Sequence, residues 1–222
     1  MMQPELRCAI VTWGDAYRLS REMALSVKRS GYRPDVIVAI SRGGLVPARI
    51  LSDILAISDL VSIKVDHWFV TGEHYDKAEI RYPLKGDFSG KNMLVVDDIT
   101  DTGSSLRETV KYLDSLQPEK IKTATMQRLS QSKFIPDYTG EFVKEWVWFI
   151  YPWNFYEDMC NLTLRLFKNH PELDVNIRDL PHYFRKYYGI RVSRKKLRES
   201  SALLVERGLA RWSGQSLVPI KG

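Results

Sequence analysis

Cysteine is scarce in this chain. Cys8 and Cys160 are the two among 222 residues, and their separation matches no metal-ligand spacing. A structural disulfide between them is not expected in a reducing compartment. Long apolar runs are also missing. The longest aromatic and apolar stretch runs from Trp146 to Trp153, whereas a membrane-spanning helix needs about 20 residues. No charged-then-apolar signal opens the sequence, which predicts a cytoplasmic protein with no membrane partner. Internal repeats and low-complexity tracts are absent. Apolar residues make up 44% of the chain, an ordinary share that excludes wholesale disorder. The length suits one α/β domain with a small appendage.

Charge is unevenly spread. From Arg165 to the end there are thirteen Lys and Arg against five Asp and Glu, a net +8. Residues 1–164 hold twenty basic and twenty-two acidic residues, a net −2. The basic character therefore belongs to the last segment. Such a segment is either a solvated charged face or a nucleic-acid contact.

Residues 93–106 read MLVVDDITDTGSSL. An apolar β-branched run from Met93 to Val96 ends in Asp97 and Asp98. A loop of small and hydroxyl residues follows, and then a helical pattern from Leu106. A strand that enters a helix through such a turn leaves backbone N–H groups free at the helix start, an anion site suited to phosphate. The two carboxylates stand where open α/β sheets bind ligands. Together these features fit a sugar phosphate.

The remaining pattern alternates strands and helices. Asp15 is read as the N-cap of a helix reaching Ser30, which Gly31 stops. Strands are expected at 35–40, 60–65, 93–97, 121–128 and 146–150, with helices at 45–56, 106–116 and 154–168. Residues 66–82 read as a hairpin flap, returning at 80–84. This order predicts an α/β fold with a mostly parallel sheet flanked by helices. After Pro171, helices at 176–188 and 194–206 and a hairpin through Gly214 outline a winged-helix-like unit. At about fifty residues that unit is marginal as a free domain. The expected division is 1–168 and a small basic unit at 169–222.

VVDDITDTGSS resembles the phosphoribosyl-pyrophosphate (PRPP) signature of the type I phosphoribosyltransferases. AISRGGLVPA, residues 39–48, resembles that family's pyrophosphate loop, nearest the xanthine–guanine branch. Pro136-Asp137-Tyr138, Trp148 and Pro152-Trp153 extend the similarity over roughly residues 10–160. The resemblance implies that purine base and PRPP give nucleoside monophosphate and pyrophosphate, with Mg2+ as cofactor and a homodimer as assembly. It assigns Asp97 and Asp98 to the ribose hydroxyls and the magnesium, as hard acceptor ligands. Asp101 becomes the proton shuttle beside purine N7. Asp101, Thr102, Gly103, Ser104 and Ser105 cradle the 5′-phosphate. Ser41, Arg42, Gly43 and Gly44 hold pyrophosphate, with a non-proline cis peptide expected at Ser41–Arg42. Trp148 stacks on the base and the Phe149 backbone reads its edge. The lid offers Thr71-Gly72 and Tyr75, with no choice between them.

Relatives that use 6-oxopurines usually carry a lysine after the strand that here ends in Thr125-Met126-Gln127-Arg128-Leu129. None stands at that place. Gln127 can accept from a 6-amino group or donate to a 6-oxo group, and Arg128 can donate to O6. The missing lysine leans the reading toward adenine, with hypoxanthine, guanine or xanthine as the alternative. A second alternative is a PRPP-sensing regulator that binds DNA through Arg191, Arg194, Lys195, Lys196 and Arg198. For the C-terminal unit, dimerisation or covering the active site is favoured over nucleic-acid binding.

Overall fold

The computed structural model describes residues 4–69 and 76–220. Two compact units emerge, one of residues 13–146 and one of residues 1–12 with 147–222.

The 13–146 unit is built on six strands. In chain order they are β2 (Val36–Ser41), β3 (Leu60–Phe69), β4 (Asp76–Tyr82), β5 (Asn92–Thr100), β6 (Lys120–Leu129) and β7 (Tyr138–Val143); β1 lies in the other unit. Their spatial order is β4-β3-β2-β5-β6-β7. All neighbours are parallel except the β3–β4 hairpin at one edge. β2 and β5 are buried almost throughout, as expected of apolar runs in the middle of a parallel sheet. Helix α3 (Ser104–Asp114) lays Leu106 and Leu113 on Val36, Val38, Met93 and Val95. Helices α1 (Trp13–Arg29) and α2 (Leu45–Leu55) pack on one another. On α1, the Ser20 hydroxyl reaches Met126, which alternation places on the sheet face opposite Ile121 and the α3 cluster.

Several boundaries differ from expectation. Asp15 is not the N-cap of α1: the helix starts at Trp13, so Asp15 lies in its first turn, where it still complements the helix dipole. The flap returns as β4 at Asp76–Tyr82, earlier than expected. Thr71-Gly72 and Tyr75 lie outside the described residues. β7 was not anticipated. Its Gly140 reads as a breaker, yet a Cβ there would lie 2.8 Å from the Met126 carbonyl oxygen and 2.9 Å from that of Leu19. The glycine permits α1 to approach the sheet.

The other unit begins with β1 (Cys8–Ile10), paired in parallel with β8 (Trp148–Ile150). β8 was read as one more strand of the sheet, but its partner is this N-terminal strand. Helix α4 (Phe155–Asn169), α5 (Leu180–Tyr188), α6 (Arg194–Glu206) and the hairpin β9 (Ala210–Ser213) and β10 (Ser216–Pro219) follow. Met159, Leu162 and Leu166 of α4 share one core with Phe184, Tyr188 and Leu197. Compactness thus groups α4 with the C-terminal helices, whereas the expected division at 168/169 separates them. Cys8 and Cys160 are both buried and free. Burial pushes the Cys8 thiol up to about 12, far from a reactive thiolate. Among the described residues, no helix is long and apolar enough to cross a membrane.

Candidate active site

The C-terminal ends of β2, β5 and β6 and the loops after them gather the expected residues of the 13–146 unit. Asp97 and Asp98 are each 8% exposed. As successive strand residues they point to opposite faces. The Asp98 amide donates to Asp97 Oδ1 at 2.9 Å. Burial first, and then the neighbouring Asp98, raises the Asp97 pKa well above the ordinary carboxylate range.

Asp98 also meets the loop after β2. A Cβ on Gly43 would collide with its carboxylate, and a Cβ on Gly44 with the Ile40 and Val96 carbonyls. The two glycine positions therefore let the loop after β2 lie close against Asp98 and the β5 backbone. The Ser41–Arg42 peptide is cis, as the resemblance implied. Arg42 is exposed at the loop's tip. One expectation needs correction. The Gly44 N–H donates to the Ile40 carbonyl at 2.9 Å, because it starts the turn into α2, so Gly43 alone of the two is left to offer an amide to an anion.

The turn after β5 has the expected form. Gly103 takes φ +86° at the start of α3, and a Cβ there would strike Phe134. The Thr102 and Ser104 hydroxyls lie 3.0 Å apart, and the Ser104 N–H points to the Thr102 hydroxyl at 3.3 Å. The first turn of α3 holds no acid. Hydroxyls, amides and the positive end of the helix dipole therefore converge, as an anion requires. Asp101 accepts a hydrogen bond from the Gln131 side-chain amide. Gln131 was not anticipated, and nothing in its polar loop marks it.

On β6, Gln127 is buried, and its amide nitrogen donates to Glu141 Oε2 at 2.8 Å. Thr125 stands opposite Asp97 and Arg128 opposite Thr100. The Thr100 and Thr125 hydroxyls and the Arg128 Nε are buried without a hydrogen-bond partner. An unsatisfied buried polar group costs about 1–3 kcal/mol. By alternation Thr125 shares the Asp97 face, while Thr100 and Arg128 share the Asp98 face near the ends of β5 and β6, where a polar ligand could satisfy them.

Trp148 and Phe149 belong to the other unit. Trp148 is 44% exposed, and its indole N–H donates to Asp158 Oδ1 at 3.0 Å. Asp158 is buried, and desolvation pushes its carboxyl up to about 6.

A carboxylate pair at the end of a parallel strand, followed by an anion-binding turn, suits enzymes that handle phosphorylated sugars. The phosphoribosyl transferase domain matches residues 9–158. A xanthine-guanine phosphoribosyltransferase of Idiomarina loihiensis is 30% identical over 145 residues, covering 65% of this chain and 85% of the relative. Its counterpart in Cereibacter sphaeroides is 32% identical over 154 residues, with the same two shares. Among solved structures, a purine phosphoribosyltransferase of Pyrococcus horikoshii is 32% identical with a TM-score of 0.58, covering 67% of this chain and 94% of that one. The chain belongs to the phosphoribosyltransferase family, in its type I purine branch. Its reaction class is that of a glycosyltransferase.

Proposed function

We propose that the enzyme transfers phosphoribosyl from PRPP to a 6-oxopurine, with guanine or xanthine foremost. The turn at Thr102–Ser105 beside Asp97 and Asp98 is the observation that supports PRPP as donor. The xanthine-guanine relatives support the base, and they replace the lean toward adenine drawn from the missing lysine. Arg128 supplies a physical argument in the same direction. Its Nε is buried without an acceptor. A guanidinium only donates, so it suits the carbonyl O6 and would oppose a 6-amino group. The second reading remains adenine. Gln127, buried on β6 with its amide nitrogen donated to Glu141, is the residue that would read a 6-amino group in that case.

In this reading the N–C1′ bond forms as the C1′–O bond to pyrophosphate breaks. The proton released by the purine passes to Asp101, and the Gln131 amide holds that carboxylate in place. Arg42 and the Gly43 amide receive the charge that develops on pyrophosphate. The donor chemistry of Asp97 and Asp98 fits magnesium, which typically takes one or two carboxylates along with substrate oxygens. When bound, magnesium would neutralise charge on the leaving group; Asp97 and Asp98 are the residues that would hold it.

A base panel tests the proposal. The enzyme is given PRPP, magnesium and one of adenine, hypoxanthine, guanine, xanthine or orotate, and nucleotide is quantified. Guanosine or xanthosine monophosphate should form fastest. Preference for adenine would favour the second reading, and no nucleotide from any purine would reject both.

A further inference from the structure

The unit that holds α4, α5 and α6 carries an arrangement that phosphoribosyl transfer does not use. Between α4 and α5 the chain forms a short extended stretch at 175–177. This stretch pairs antiparallel with β10: Asn176 stands opposite Ser216, Leu217 N–H donates to the Val175 carbonyl at 2.9 Å, and Ile177 N–H to the Gln215 carbonyl at 3.0 Å. β10 in turn pairs with β9. The connectivity is helix, strand, helix, helix, strand, strand, with strand order 175–177, β10, β9. That is the plan of a winged helix-turn-helix. Gly189, at φ +73°, ends α5, and Ser193 opens α6 by accepting the Lys196 N–H. In such a motif the second helix of the turn, here α6, is the one that enters the major groove. The helices and hairpin are packed, with Leu204, Ala210, Leu217 and Cys160 forming a core of their own. They do not form a loose tail.

The charge on α6 has no explanation within the module. Its first turn holds Arg194, Lys195 and Lys196 and no acid, and Arg198 follows. A cation at the positive end of a helix is disfavoured by about 0.3–1 kcal/mol, so three of them work against this helix. Lys196 finds partial relief over the Phe155 ring, 4.7 Å from its centroid. The nearest acid on the helix, Glu199, is engaged by the Tyr156 hydroxyl at 2.7 Å. Among the described residues no acid pairs with Arg191, Arg194, Lys195 or Arg198, and all four are exposed. Arg211 adds an exposed cation on β9. A surface shaped only for solubility intersperses both signs. Here one sign is concentrated at the start of the helix that the motif would present to a groove.

We propose that this module binds duplex DNA, with the first turns of α6 in the major groove and Arg194, Lys195 and Arg198 on phosphates and base edges. The proposal adds a second activity to the transferase and does not depend on which base the transferase uses. DNA is favoured over duplex RNA because the RNA major groove is too deep and narrow for a helix.

The test uses the full chain and a fluorescein-labelled 20-base-pair DNA, with anisotropy read across a range of salt. Three proteins are compared: the native chain; the variant Arg194→Ala/Lys195→Ala/Arg198→Ala; and a charge-matched control, Lys85→Ala/Lys91→Ala/Lys111→Ala, in exposed positions of the other unit. Each phosphate contact contributes about 0.9 to the slope of log affinity against log salt. The α6 variant should therefore lose roughly two to three from that slope and bind at least about tenfold more weakly at 0.1 M salt. The control should keep the native slope. Nucleotide formation unchanged in the α6 variant, together with unchanged far-UV circular dichroism, shows that both units keep their fold. Equal losses in both variants would mean diffuse attraction to a basic protein and overturn the proposal. So would the absence of binding at 50 mM salt, or an α6-dependent affinity for anionic lipid vesicles that exceeds the affinity for DNA.

Discussion

Replacing Asp158 by asparagine removes an ionisation but keeps an acceptor for the Trp148 indole. Asp158 lies on α4 at 7% exposure, and its carboxyl is pushed from the ordinary 3.8 up to about 6, chiefly by burial. The hydrogen bond from Trp148 opposes that shift without cancelling it. Below pH 4 the group is protonated in folded and unfolded chains alike and contributes no pH dependence. Between pH 4 and 6 the unfolded chain gives up this proton while the folded chain retains it, so stability falls as pH rises through that window. Above about pH 6 the folded protein carries a desolvated charge. A pH unit of separation corresponds to about 1.4 kcal/mol, which sets an upper bound of about 3 kcal/mol on the cost. Asp158→Asn should therefore match the native chain at pH 4 and exceed its stability by about 1–3 kcal/mol at pH 7. Urea unfolding of both proteins at pH 4, 5, 6 and 7 gives the difference curve. A flat difference, or a variant less stable at pH 7, would refute the reasoning.

Three further outcomes follow from the site. Asp101→Asn should lower kcat about 10²–10⁴-fold, the usual size of a lost general acid–base, while PRPP still protects the protein from thermal unfolding; full turnover would remove Asp101 from proton transfer. Arg42→Ala should raise the inhibition constant for pyrophosphate by at least about tenfold, as loss of a charge-assisted contact predicts, and unchanged product inhibition would reject that contact. Gly103→Ala places a Cβ into Phe134 at a left-handed φ and should destabilise the fold by about 1–3 kcal/mol while weakening PRPP binding. Thermal melts with and without PRPP check both effects.

The phosphate turn was legible because its signals are local. A β-branched run, two acids, hydroxyls and a glycine follow one another in a single stretch, and the structure places strand, turn and helix in that order. Helix α6 was equally legible, read at 194–206 and found at Arg194–Glu206. Less legible was what depends on distant partners. β8 reads as one more strand, and only the paired backbone shows Cys8–Ile10 beside it. Strand β7 was missed, and nothing near Gly140 in sequence announces the α1 backbone that presses on it. Gly44 seemed free to donate until the Ile40 carbonyl took its N–H. Gln131 reached Asp101 from a loop with no periodicity. The expected helix at 176–188 absorbed Asn176 and Ile177, and with them the bridge to β10 that completes the winged module.

A structure of the enzyme with a purine nucleoside 5′-monophosphate bound tests the central claim most directly. The 5′-phosphate should lie within hydrogen-bonding distance of the amides and hydroxyls of Thr102 to Ser105, with the ribose hydroxyls facing Asp97 and Asp98. A nucleotide bound elsewhere, with that turn unengaged, would contradict the account.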